Sequence, residues 1–453
     1  MEDAAELSVA NVLELIDAHL VPGSAALMRR VGFDRRVLRR AEGMNYFDDE
    51  GRAILDFFAG FGAMAIGHNH PRVTAARRYF ADNHLNDMSI TFPSPYVAAL
   101  SHNLAALSPE GLDVVMLCQS GSEANELALR LTERVGGRRN HVAYACGAFH
   151  GKTRGALSVT DEEVYRRGVM LLPGRVRVPF GDADALEAAF RRDPRIGSVI
   201  LETIQGGAGI VLPPPGYLKE VRRLCDYYGV LWIADEVQCG LGRTGRFYAF
   251  EHDDVVPDVV TLAKALGGGK APVGAVIARR SIFEALPRRD AALMFGPSTF
   301  AWFGENCATA IESLNVIVDE HLVDRAAKMG DELLTQLIDL HDRFPGLLVD
   351  VRGRGLMIGA EFASAPPRLR RTHERLSGAL SGPVGALLFH QHDVLVGFTA
   401  QNRDVLRLEP PLILDGEHVH RFCGALTTVL EEGRVRIARN FLAQRSGRAR
   451  PRQ

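Results

Sequence analysis

Between Ser198 and Lys264 short apolar runs alternate with one helical stretch, and this alternation restricts the fold more than any other feature of the chain. Ser198-Val199-Ile200-Leu201-Glu202 reads as a strand. Pro215 to Tyr228 reads as a helix closed by Gly229, and Val230 to Val237 as the next strand. A third run, Asp258-Val259-Val260-Thr261-Leu262-Ala263, ends in Lys264 and is followed by Ala265-Leu266-Gly267-Gly268-Gly269. Strands separated by helices pair in parallel, and near-continuous apolar runs suit a sheet covered on both faces. Ligands of such sheets sit beyond the strand C-termini. Asp235 and Lys264 both lie at such ends. The predicted class is α/β, a mainly parallel central sheet flanked by helices. The C-terminal third differs: Leu347 to Phe362 reads as a twisted hairpin, Val394 to Gly397 and Val405 to Leu408 as strands, and 417–444 as two helices. That part is predicted to form a smaller α+β domain.

Composition narrows the function classes. The chain has 453 residues, 47% hydrophobic and 24% charged, which supplies ample core for two or three domains. A net charge of −2 gives no electrostatic case for nucleic acid or an anionic membrane. The one basic run, Arg445, Arg448, Arg450 and Arg452, is broken by Gly447 and Pro451 and reads as a frayed tail. Six cysteines without a CxxC pair fit reduced thiols and give no zinc signature. Met1-Glu2-Asp3 is acidic and lacks an apolar signal core, and no apolar run approaches membrane-spanning length. A cytoplasmic protein is expected.

Several segments carry a chemical reading beside a plain one. Lys264 at a strand end beside a Gly-rich bend is either a solvated lysine at a loop edge or an amine presented to a pocket, as a Schiff-base lysine requires. Val114 to Gln119 reads as a strand, and Ser120-Gly121-Ser122-Glu123-Ala124-Asn125-Glu126 as the turn into a helix. Such a turn is an ordinary capped junction or an anion cradle at a helix N-terminus. Phe149-His150-Gly151-Lys152-Thr153 offers a packed aromatic or a platform for a flat ring. The histidines of Gly67-His68-Asn69-His70-Pro71 lack a ligand-spaced partner, which favours a turn over a metal site. Gly240-Leu241-Gly242-Arg243-Thr244-Gly245 fits GxGxxG, but β-prone aromatics follow where a dinucleotide fold needs a helix. Residues 8–20 read as a helix, Asn45 to Arg52 as a hairpin turn with Ile54 to Phe58 as its return strand, and Asn306 to Leu340 as a long helical region.

In this order, Ser120 to Asn125, Phe149-His150-Gly151, Asp235 to Gly245 and Ala263 to Gly269 resemble the class III (ω-) aminotransferases, pyridoxal phosphate (PLP) enzymes of fold type I. The likeness runs from about Phe47 to Pro411. It implies that Lys264 holds PLP, that Asp235 faces the pyridine nitrogen, and that Gly121 and Ser122 cradle the phosphate. Phe149, with His150 beside it, matches the ring-stacking aromatic, Val237 the opposite face, and Gln238 the group near the phenolic oxygen. Thr299 matches a threonine that reaches the neighbouring subunit's phosphate, which implies a homodimer. Arg407 matches the arginine that grips a substrate carboxylate, and Lys152, Phe61 and Glu202 are the other candidate substrate contacts. No metal is implied. The implied division is a segment 1–70 contributing to the small domain, a large PLP-binding domain 71–325, a small domain 326–445 and a flexible basic tail 446–453.

Three departures bear on substrate. Gln205-Gly206-Gly207 puts glycine where the family often has a glutamate covering the carboxylate arginine. Lys152 stands where an arginine often grips a distal carboxylate, a point charge in place of a fork. Ala301-Trp302-Phe303-Gly304 replaces a Gly-Gly-Asn-Pro stretch. The run from Leu212 to Leu218, with the three glycines, looks most like putrescine aminotransferases. A terminal, diamine-like amine donor and a 2-oxo acid acceptor such as 2-oxoglutarate or pyruvate are therefore expected. Specialised donors (an amino sugar or a polyketide-type aldehyde partner), ornithine or acylornithine, and a PLP-fold isomerase or decarboxylase are the alternatives.

Overall fold

The computed structural model describes residues 2–88, 92–286, 298–364, 380–399 and 401–445. The segment 446–453, read above as a basic tail, lies outside them. Near the N-terminus, β1 (Leu38–Glu42), β2 (Asn45–Asp48) and β3 (Ala53–Phe57) form an antiparallel meander. Asp48 closes its second turn by accepting from the backbone of Glu50 and Arg52, at 3.0 and 2.9 Å.

The central sheet is built from β4 (Leu112–Cys118), β5 (His141–Ala145), β6 (Arg175–Val178), β7 (Ile196–Glu202), β8 (Leu231–Asp235), β9 (Val259–Leu262) and β10 (Gly274–Arg279). Its order is β4-β10-β9-β8-β7-β5-β6. Only β10 runs against the others, pairing antiparallel with both β4 and β9. Every residue of β7 and of β9 is buried, as the unbroken apolar runs require. Six strand C-termini thus point to one edge. After β4, Ser120 caps the helix Gly121–Gly136 by accepting from the Glu123 amide at 3.2 Å. That helix buries Ala124, Leu127, Ala128 and Leu131 against the sheet, each leucine worth about 1.5–3 kcal/mol.

The second sheet adds β11 (Leu348–Arg354), β12 (Met357–Phe362), β13 (Val394–Phe398) and β14 (Val405–Leu408) to the N-terminal meander, in the order β1-β2-β3-β13-β14-β12-β11. The β3–β13 pairing is parallel, with Leu55 opposite Val394. Residues more than 300 positions apart therefore share one sheet, and β14 is carried to the rim of the first. The helical region expected from Asn306 to Leu340 is two helices, Gly304–Asp319 and Leu322–Arg343. His321, in the left-handed region at φ 52°, breaks the run and redirects the second helix onto β11.

The GxGxxG run starts no helix; a 3-10 turn, Ala249–Asp253, follows it. Its glycines serve packing: a Cβ on Gly245, at φ +83°, would sit 2.8 Å from that of Ala327. His68 Nε2 is 2.8 Å from Asp56, and His70 Nε2 is 3.2 Å from Glu320. No cluster of metal-ligating side chains occurs among the described residues, and none of their helices is long and apolar enough to cross a membrane.

Candidate active site

A cavity of about 510 Å³ opens at the C-terminal edge of the parallel strands. Gly121, Ser122, Phe149, His150, Glu202, Asp235, Val237, Gln238 and Lys264 all line it, although they come from five separate strand ends. Six more residues matter to its chemistry: Gln119, Asn125, Thr261, Arg243, Arg407 and Glu409.

Asp235 ends β8 and is buried. Its Oδ2 accepts from Asn125 Nδ2 and from His150 Nδ1, each at 2.7 Å. Its Oδ1 accepts from the Val237 amide at 3.0 Å and faces Thr261 Oγ1 at 3.5 Å. Asn125 is fixed in turn, accepting from Thr261 Oγ1 at 2.8 Å and donating to the His150 carbonyl at 2.7 Å. A carboxylate held by this many donors cannot swing out of the pocket.

Lys264 follows β9 with φ 43°, the left-handed region that a lysine rarely adopts. This geometry turns Nζ into the cavity, where it donates to Gln238 Oε1. Desolvation pulls the amine down to about 8; Glu409, the largest carboxylate influence, opposes the shift and Arg407 adds to it. Glu202, at the end of β7, accepts from the amides of Phe149 and Gly206 at 2.9 and 3.0 Å. Burial pushes its carboxyl up to about 7.

Glycine makes close approach possible at two places. A Cβ on Gly206 would come within 2.6 Å of the Gln238 amide. One on Gly151, at φ +134°, would fall 2.3 Å from Ser122 Oγ.

A phosphorylated pyridine aldehyde needs an amine to hold it, an acid for its ring nitrogen, two apolar faces and an anion cradle. Lys264, Asp235, the side chains of Phe149 and Val237, and the first-turn amides at Gly121 and Ser122 are groups of these kinds and could hold it. Two buried nitrogens of residues lining the cavity, Gln119 Nε2 and His150 Nε2, have no hydrogen-bond partner among the described residues. The residues present therefore fit PLP.

The remaining predicted contacts are placed differently. Arg407, on β14, is buried and does not line the cavity, with Nε and Nη2 donating to the Phe398 carbonyl at 3.2 and 2.9 Å. Its guanidinium lies 4.6 Å from the Phe61 ring centre. Phe61 is itself 45% exposed and sits in a left-handed turn, Ala59–Gly62. The sequence reading leaves Arg407 without a carboxylate cover at Gly207, and the structure corrects it. Glu409 Oε2 stands 4.0 Å from Arg407 Nη1, because residues two apart on an extended strand share a face. Lys152 is exposed and rests its ammonium 4.1 Å from the Tyr165 ring, outside the cavity lining. Thr299 is exposed and does not line the cavity of this chain; its neighbour Ser298 bonds Gln119 at the rim.

Sequence reasoning missed the working partners Asn125, Thr261 and Glu409. Asn125 left a trace: an amide on the buried face of a helix is a poor helix former without a partner. Glu409 left one too, in its spacing of two from Arg407.

This fold and donor set are those of a fold type I PLP enzyme. Residues 29–430 match the family model for aminotransferase class-III, and the chain belongs to that family and is a transaminase. It is similar to an ornithine aminotransferase from Toxoplasma gondii ME49, with 28% identity, a TM-score of 0.81, and coverage of 95% of this chain and 98% of that one. It is likewise similar to an (S)-enantioselective ω-transaminase from Thermomicrobium roseum, at 28% identity and TM-score 0.83, covering 94% and 99%. A further Toxoplasma gondii ornithine aminotransferase structure, 28% identical with TM-score 0.80 and covering 99% and 98%, holds PLP at partial occupancy in its active site. Class III aminotransferases use PLP, and so does this enzyme.

Proposed function

We propose that the enzyme moves an amino group from a terminal, diamine-like amine to a 2-oxo acid such as 2-oxoglutarate or pyruvate. The observation that carries this reading is the charge of the cavity wall. Among the described residues no arginine lines it, and the charged ones that do are Asp235, Glu202, Lys264 and Lys270. Arg407 is set back and already engaged by Phe398 and Glu409. With Asp235 committed to the ring nitrogen, a wall whose described residues include no arginine suits a donor without a carboxylate of its own. One arginine behind it suffices for the single α-carboxylate of an acceptor.

Bound PLP supplies the electron sink that makes the proton on the donor's amine-bearing carbon removable. Lys264, with its amine brought down to about 8, is neutral often enough near neutral pH to take that proton and return it one position away. Asp235, locked by Asn125 and His150, keeps a fixed negative charge toward the ring nitrogen. Gln238 orients Lys264, and Gly121 and Ser122 seat the phosphate. Phe149 and Val237 exclude water from the two faces of the ring.

A homodimer accompanies this reading. Thr299 and the apolar Phe92 and Phe300, 69% and 54% exposed, suit burial against a second copy, where Thr299 would complete the partner's phosphate site. A cytoplasmic location agrees with six cysteines in the free state. Ornithine is the second reading, favoured by the likeness to the Toxoplasma enzyme.

The test is a donor panel with both acceptors. Diamines and other terminal amines should convert the acceptor to its amino acid faster than ornithine does. A preference for ornithine of tenfold or more would replace the first reading by the second.

A further inference from the structure

Glu409 is completely buried, and the proposed chemistry does not use it. Its backbone N–H donates to the Phe57 carbonyl at 2.9 Å, which anchors it where β14 leaves the sheet beside β3. Oε1 accepts from Gln238 Nε2 at 2.6 Å. Oε2 has no hydrogen-bond partner among the described residues and stands 4.0 Å from Arg407 Nη1. A second buried guanidinium, Arg243, lies on the other side; a Cβ built on Gly62 would touch both Arg243 Nε and Glu409 Oε1, at 3.5 and 3.6 Å. Arg243 is anchored independently, donating to the carbonyls of Leu356, Pro410 and Gly62.

Two consequences follow from this placement. Arg407 gives Nε and Nη2 to a carbonyl, and its Nη1 faces the unpartnered Glu409 Oε2 at 4.0 Å. The contact is close enough for strong attraction and too long for a hydrogen bond, so an incoming carboxylate can replace it. Gln238 is the second link. Its Nε2 is spoken for by Glu409, which fixes the amide so that Oε1 faces Lys264 Nζ. Arg407, Glu409, Gln238 and Lys264 thus form one continuous line.

We propose that Glu409 is a positioning and specificity-determining residue of this site: it holds the place of a substrate carboxylate on Arg407 and sets the Gln238 amide against Lys264. This rests on reading Arg407 as the carboxylate site. A carboxylate-free amine then meets a neutral Arg407–Glu409 pair instead of a bare cation. A 2-oxo acid must displace Glu409 from Arg407 to bind.

The experiment measures binding of glutarate, an unreactive dicarboxylate, to the holoenzyme by calorimetry. Glu409→Gln keeps the amide-accepting oxygen and removes the competing charge, and should tighten glutarate about tenfold. Glu409→Asp keeps a charge beside Arg243 but withdraws it from Arg407. It should tighten glutarate about threefold and serves if the glutamine variant does not fold. A second readout is the pH midpoint of the cofactor's visible absorbance. The groups acting on Lys264 are Glu409, Asp235 and Glu202 on the acidic side and Arg407 on the basic side. Loss of Glu409 should therefore lower that midpoint, which a purely structural role would leave in place. Glutarate binding unchanged or weaker in both variants, while Arg407→Ala abolishes it, overturns the role of Glu409 and leaves the Arg407 reading standing. Glutarate binding indifferent to Arg407→Ala overturns both.

Discussion

Replacing Asp235 by asparagine separates its structural work from its chemical work. The carboxylate accepts from Asn125, His150 and the Val237 amide, with Thr261 further off. An asparagine offers one oxygen and one NH2. If the NH2 took the Oδ2 position it would meet two donors at once. The better choice keeps the oxygen toward Asn125 and His150 and turns the NH2 toward Thr261, leaving the Val237 N–H unpaired. One partly buried hydrogen bond is lost, at a cost of about 1 kcal/mol. The chemical loss is larger, because no negative charge then faces the ring nitrogen. A charge removed from a dry, fixed position slows the proton-transfer step by at least about 10²-fold. The variant should stay folded and bind PLP while this step nearly stops. The assays are urea unfolding, and stopped-flow absorbance of the half-reaction with a saturating amine. A half-reaction within about threefold of wild type, in a folded and PLP-loaded variant, would refute the argument that Asp235 controls the ring.

Lys264→Ala should abolish borohydride trapping of PLP on the chain and nearly all turnover; covalent cofactor retained in that variant would sink the assignment. Glu202 and Glu236, both pushed by burial to about 7 from 4.5, hold protons in the folded state that the unfolded chain has released. Stability should therefore fall as pH rises from 4.5 to 7, by up to about 1.4 kcal/mol per pH unit for each group. Glu202→Gln should flatten that slope in urea midpoints, and an unchanged slope would show that Glu202 is not the source. Light scattering should give a dimer at assay concentration, and an active monomer would remove the role given to Thr299.

The sequence by itself determined four strands of the central sheet, β4, β7, β8 and β9, and put Asp235 and Lys264 at the ends of two of them. Asp235 and Lys264 could be placed because an apolar run that ends in a charge says where a buried strand stops, and the alternation of strands and helices says that such ends converge. Local chemistry likewise marked the Ser120 cap and the Gly229 stop, since both depend on a few neighbouring residues. β1 and β10 carried weaker signals. Four of the five residues of β1 are exposed, so it shows no alternation, and β10 continues a Gly-rich bend whose direction no local residue sets.

Only the tertiary structure decided what surrounds the two central residues. Asn125 meets Asp235 across 110 positions, and Glu409 meets Gln238 across 171. Spacing along a chain carries no information about such pairs, because the first depends on how the strand ends of the central sheet converge and the second on how the other sheet delivers β14 to its rim. The same limit explains Lys152 and Gly207. Their residue types suggested a weak hold on carboxylates, but whether Arg407 stood alone depended on a neighbour two residues away whose side chain the strand pleat turned to the same face. Burial decided the rest, since the depression of Lys264 and the elevation of Glu202 come first from desolvation, which exists only once the sheets close around them.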